Sequence, residues 1–239
     1  MHKAAWVAVA MVLLAAVGIF AARIDWQAES GTQVASSERT QEEATTPEDP
    51  SPPRDAAPDA ATEVINVVAA RAGVPVDGYT AGRPGAPIDS CFPSAAGVTA
   101  DIVSCGTTAH NADVCWLAPD RVGLLCGTDP WEKELLAYTT AQPVTRAPAT
   151  STPRPWALEL ADGSRCRMRT GGSWPGRADG YVGAYRCTGP TEFVLSKSDA
   201  QVDRSTATWT VMTGGLSADN RTLPPPTPIT VVTAYFASV

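Results

Sequence analysis

The sequence predicts a mainly β, antiparallel, disulfide-stapled extracytoplasmic domain with one or two short helices, preceded by an N-terminal transmembrane helix and a disordered linker. Three observations lead there. An uncharged apolar run opens the chain, six cysteines all lie far beyond it, and short apolar alternations between turn signals fill the C-terminal half.

Residues 1–26 read as the anchor. From Ala4 to Ala22 no charge interrupts the run, and a helix of that length spans about 28 Å, close to a bilayer core. His2 and Lys3 precede it, and Trp26 follows as an interfacial anchor. The rival reading is a cleaved signal peptide, for which Ala16-Val17-Gly18 supplies a small-x-small site. Cuts after Ala21 or Ala22 are poorer, because Ile19 and Phe20 are bulky. Either way, everything after Arg23 is exported. The expected partner of residues 4–22 is the lipid bilayer. The expected topology is a single-pass cell-membrane protein with a cytoplasmic N-terminus and an extracytoplasmic C-terminal domain, or a secreted protein if the leader is cut.

Residues 27–58 read as a disordered, acidic, Pro-rich linker. Between Gln27 and Glu63 there are five prolines, nine acids, two bases and no aromatic residue. Such a segment buries too little apolar surface to offset its ordering entropy. From Val64 onward, 14 bases nearly balance 15 acids. The chain's low isoelectric point therefore belongs to the linker and says nothing of what the folded part binds.

Residues 59–239 form the extracytoplasmic domain. Asp59 can cap a helix, and Ala61, Val64, Ile65, Val68, Ala69 and Ala72 recur at helical spacing before Gly73 and Pro75. Residues 76–100 are rich in Gly and Pro and read as loop. Opposing Cys115 and Cys126 makes residues 111–131 a hairpin, with Leu117 facing Leu124 and Pro119-Asp120 at the turn. Asp129-Pro130-Trp131-Glu132 carries a cap, a first-turn proline and a capping-box acid, predicting a short helix over 130–138, with a strand at "ELLAYTT" as the alternative. The Pro- and Thr-rich segment 139–155 is either a surface loop or the joint between two lobes, 59–141 and 155–239.

The second half reads as β. In "WALELADGSRCRMRT" a three-residue loop, Ala161 to Gly163, sets Leu160 opposite Ser164, Leu158 opposite Cys166 and Trp156 opposite Met168. Apolar residues then share one side, and Gly163 takes the left-handed bulge position. Outward, Glu159 faces Arg165. Pairing Cys166 with Cys187 in "YVGAYRC" sets Tyr185 against Met168 inside and Arg167 against Arg186 outside. Further strands are expected at 192–197, 207–213 and 229–237.

The cysteines support export, since an even number in an oxidising compartment reads as disulfides. Spacing alone leaves the connectivity open. Local pairing gives Cys91–Cys105, Cys115–Cys126 and Cys166–Cys187, the first supported by proximity only.

With Arg165 partly neutralised, Arg167, Arg169, Arg186 and Arg177 remain as a candidate anion-binding cluster, because guanidinium forks suit phosphate, sulfate and carboxylate oxygens. The competing reading is a solvated sheet face, whose charge discourages edge-to-edge aggregation. An anionic envelope component or an envelope protein is the expected partner. Nucleic acid is disfavoured by the near-neutral charge of the domain and by export.

Catalytic equipment is sparse. His110 is the one histidine after the anchor, which leaves a serine nucleophile short of bases. "GGSWP" departs from a nucleophile elbow at Pro175. Asp113, Asp129, Asp179 and Glu192 could form a carboxylate pair, but sequence does not place them against one another. Zinc on His110, Cys105 and Cys115 competes with disulfide formation. No phosphate loop, dinucleotide fingerprint, HExxH or EF-hand pattern occurs. No catalytic residue, metal site or cofactor is therefore assigned, and an envelope hydrolase using acidic residues or His110 stands as the alternative to a non-catalytic binding or scaffolding module. Asn220-Arg221-Thr222 matches a glycosylation sequon.

The segments "AHNADVCW", "LLCGTDPW", "WALELADGSRCRMR", "GRADGYVGAYRC" and "TAYFA" resemble a group of uncharacterised exported proteins of actinobacteria. The resemblance runs from Pro87 to the C-terminus. It implies a cell-envelope location and a paired-cysteine β-domain of unknown function, and it brings no catalytic residues.

Overall fold

The structure, a computed structural model, describes residues 60–106, 112–146, 148–169, 171–197, 201–217 and 222–239. The expected anchor, the linker, Asp59, His110 and Asn220 lie outside the described residues. The described strands, in chain order, are β1 (Glu63–Val67), β2 (Ala70–Arg71), β3 (Val74–Pro75), β4 (Thr80–Pro84), β5 (Cys91–Pro93), β6 (Ile102–Cys105), β7 (Ala112–Leu117), β8 (Gly123–Gly127) and β9 (Glu134–Thr139). They continue as β10 (Ala157–Leu160), β11 (Arg165–Met168), β12 (Val182–Thr188), β13 (Phe193–Ser196), β14 (Thr210–Thr213) and β15 (Thr227–Ala237).

Strands β10 to β14 follow one another as antiparallel neighbours, and the long β15 pairs with both β14 and β10. The sheet thus closes into a six-stranded barrel, which removes exposed edges. Its interior is filled by Leu158, Leu160, Tyr185, Val194, Val211, Val231 and Phe236 among others. The Tyr185 hydroxyl, buried there, donates to the Pro155 carbonyl (2.8 Å), and burial pushes its pKa upward. β1 adds parallel to the C-terminal half of β15. Thr62 splices the edge where β14 leaves off: its hydroxyl donates to the Val231 carbonyl (2.7 Å) and accepts from the Trp209 amide (2.8 Å).

β2 and β3 pair only with each other, and β4 to β9 form a second sheet in the order β4-β9-β8-β7-β6-β5, antiparallel except for β4 against β9. Between this sheet and the barrel lies a core of Ile102, Val114, Trp116, Leu135, Trp156 and Ala237. Trp116 and Trp156 meet edge to face at 5.9 Å, and the Trp116 indole donates to the Ser238 carbonyl (2.7 Å), tying the sheet to the C-terminus.

All three disulfides join the expected partners: Cys91–Cys105, Cys115–Cys126 and Cys166–Cys187, with Cα separations of 4.0, 3.9 and 3.9 Å. Each links residues directly opposite on neighbouring antiparallel strands. The ladder bonds Ser94 to Ile102, Ala118 to Gly123 and Arg169 to Ala184 place all three at non-hydrogen-bonded positions, where side chains approach most closely. The first two staple the open sheet and the third staples the barrel. Cys105 and Cys115 are thereby committed to different bridges.

The hairpin registers are as expected: Leu117 pairs Leu124, Leu158 pairs Cys166, and Met168 pairs Tyr185. Gly163 has φ of 80°, as its bulge position requires. In the β7–β8 turn, Asp120 accepts from the amides of Val122 and Gly123, which hold its carboxyl below the usual range.

Both expected helices are absent, and no helix occurs among the described residues. The stretch after Asp59 is β1 and then the β2–β3 hairpin, turned by Ala72 and Gly73 at positive φ. Val64, Ile65 and Val67 are β-branched and join a strand of the barrel; a local apolar spacing of helical period lost to that long-range pairing. At 130–138, Asp129 does accept from the amides of Trp131 and Glu132, as a cap would. The chain then extends into β9, with Leu135 buried and Leu136 exposed, the alternation of a strand. Residues 76–100, expected as loop, contain β4 and β5.

Candidate functional site: the arginine face of the barrel

β11 exposes Arg165 and Arg167 while turning Cys166 into the barrel; β12 exposes Arg186 and buries Tyr185 and Cys187. Register pairs Arg167 directly with Arg186. Like charges so placed disfavour the strand pairing by a few tenths to about 1 kcal/mol. Among the described residues neither guanidinium makes a hydrogen bond or an ion pair. Arg186 rests over the Phe193 ring (5.1 Å to its centroid), which leaves its edge free to accept an anion, and Arg167 lies within the field of Asp113.

Arg165 behaves differently. Its Nε meets Glu159 Oε1 at 3.1 Å, and the same oxygen accepts from the Trp131 indole (3.0 Å). Its guanidinium also stacks over Trp131 at 5.2 Å. Arg165 is thus neutralised as the register demanded, and the unpaired charge falls on its neighbours. Arg165, Arg167 and Arg186 wall a groove of about 510 Å³, closed on the far side by the β8–β9 connection with Asp129, Trp131 and Glu132.

The other two expected members of the cluster lie elsewhere. Arg169 lines a different cavity, donates to the Gly172 carbonyl and stacks on Trp174 (5.3 Å). Arg177 has a side chain only 2% exposed. It grips Asp179 with Nε and Nη2 (3.0 and 2.8 Å) and donates to the carbonyls of Gly215 (2.9 Å) and Pro224 (2.7 Å). That pairing raises the Arg177 pKa and holds Asp179 below the carboxylate range. With its fork already filled, Arg177 locks the loops at one end of the barrel and offers nothing to a ligand.

Asp113 was noted in the sequence only as one of several acids. On β7 its Oδ1 accepts from Ser104 (3.1 Å), while Oδ2 is buried with no hydrogen-bond partner. Burial raises its pKa, against the opposing pull of the Ser104 bond and the Arg167 charge. It lines the cavity that Arg169 lines, together with Arg154, Lys197 and Gln201. Among the described residues no second carboxylate lines that cavity. Alternation on "NADVCW" sets Asp113 on a strand face, but its place in a cleft depends on how the sheet docks against the barrel.

Searches against protein-family profiles, curated proteins and solved structures return no match to this chain.

Proposed function

We propose that this chain is a membrane-tethered, extracytoplasmic binding or scaffolding module of the cell envelope, which holds an anionic envelope component between Arg167 and Arg186. The observation that carries the reading is the pair itself: two exposed arginines opposed across a disulfide-clamped ladder, neither in an ion pair among the described residues. A bound carboxylate, phosphate or sulfate would convert that repulsion into a two-point, charge-assisted contact. Three cross-strand disulfides support an oxidising location, the apolar run 4–22 supports a membrane tether, and the acidic linker would give reach. The motifs resembling exported actinobacterial proteins support the same placement. Cleavage of the leader would leave the same domain secreted, which N-terminal sequencing of the mature protein decides.

The experiment is cosedimentation of the full-length chain with envelope fractions from its native source, beside the Arg167→Glu, Arg186→Glu double variant. Loss of cosedimentation with folding intact is the expected result. Equal cosedimentation of the two proteins would remove the site.

A further inference from the structure

The arginine groove is one end of a row of cavities between the sheet and the barrel. It shares Thr128 and Arg167 with a cavity of about 220 Å³. That cavity shares Asp113 and Met168 with one of about 710 Å³, which in turn shares Ala95, Arg154 and Gln201 with one of about 480 Å³. Cations recur along the row: Arg186 and Arg167 at one end, Arg169, Arg154 and Lys197 in the middle, Arg204 at the other end. Arg204 is held by stacking on Trp209 (4.8 Å) and by the Pro153 carbonyl (3.0 Å).

Two further observations concern hydrogen bonding. Among the described residues, Asp113 Oδ2 and Gln201 Oε1 are both buried without a partner, and both residues line the cavity of about 710 Å³. Buried acceptors left unpaired are costly, and a ligand hydroxyl would satisfy them. Phe92, 63% exposed, lies on the rim of the same cavity and presents an apolar face.

We infer that this seam binds a linear acidic polysaccharide, with carboxylates or other anionic substituents on the recurring cations and sugar hydroxyls donating to Asp113 and Gln201. The inference rests on the anion-binding reading of Arg167 and Arg186 and extends it from one point to the length of the seam. A polyphosphate would match the cations but has few donors for the two acceptors. An acidic polypeptide has one donor per residue on its backbone and no ring for Phe92 to cover.

The test is titration of the full-length chain, in neutral detergent with disulfides intact, with galacturonate oligomers from monomer to octamer. Polyphosphate, poly-glutamate and uncharged dextran serve as comparison probes. Affinity is expected to rise with oligogalacturonate length, and dextran is expected not to bind. Arg154→Ala with Lys197→Ala should weaken the octamer about tenfold or more but leave the monomer unchanged. Gln201→Ala should weaken oligogalacturonates and leave polyphosphate unaffected. Affinity that does not grow with length overturns the seam while leaving a point site at Arg167 and Arg186. Tighter binding of polyphosphate or poly-glutamate at equal length, indifferent to Gln201→Ala, overturns the polysaccharide assignment alone. Binding of no polyanion by the wild-type chain removes both this inference and the anion-binding reading.

Discussion

Arg167 and Arg186 stand opposite each other on adjacent antiparallel strands, one residue beyond the Cys166–Cys187 bridge. The bridge faces the barrel core and the arginines face solvent. A slip of β11 by one residue would relieve the repulsion, but it would also turn Cys166 and Met168 outward. The covalent link forbids that slip, so the same contact that closes the barrel holds the charges together.

The first prediction concerns that link. Replacing Cys166 and Cys187 together by alanine should lower stability by about 3 kcal/mol, the expectation for a closed loop of this size. Chemical denaturation of the variant beside the wild type measures it. Alkylation of the native wild-type chain should label no cysteine, since all six are bridged.

Arg177 separates structural from functional arginine. Arg177→Ala leaves the Gly215 and Pro224 carbonyls without their donor and should cost on the order of 2–3 kcal/mol. Anion binding by the folded fraction should be unchanged, because Arg177 is absent from the groove. Unfolding curves and titration of the same variant read the two effects independently.

Asp113 predicts a pH dependence. Burial raises its pKa above the unfolded value of 3.8, so folding favours the protonated acid. The stability it contributes is fully present below pH 3.8 and is lost as pH rises through the folded pKa. Asp113→Asn, which keeps an acceptor for Ser104, should therefore raise Tm at pH 7 and leave it nearly unchanged at pH 3. Equal shifts at both values would mean that folding leaves the carboxyl's proton affinity unchanged.

Much of the barrel was legible in the chain because its contacts are local. Leu158, Cys166, Tyr185 and Cys187 declare their shared side through alternation, and loop length with Gly163 sets the register. Cys115–Cys126 and Cys166–Cys187 followed from the same logic, and Cys91–Cys105 from proximity alone. Elements whose partners are distant were misread. β1 pairs with β15 some 170 residues later, and nothing near Val64 announces it. At β9 the capping motif does bind backbone amides yet does not continue as helix, and "ELLAYTT" forms the strand of the alternative reading. The arginine types were readable, and so was the opposition of Arg167 and Arg186. That Arg177 is already filled depends on the carbonyls of Gly215 and Pro224, which only the folded loops bring to it. The seam was not legible at all, because Asp113, Arg154 and Gln201 come together only when the sheet docks on the barrel.

The most direct test is a double-mutant cycle of Arg167→Ala and Arg186→Ala, measured by unfolding in chloride and again in phosphate at equal ionic strength. The cycle cancels the separate effects of Asp113 on Arg167 and of Phe193 on Arg186 and isolates the interaction between the two arginines. In chloride the coupling should be unfavourable, a few tenths to about 1 kcal/mol; in phosphate it should turn favourable, because one anion binds both. A coupling of zero in both salts would contradict the account.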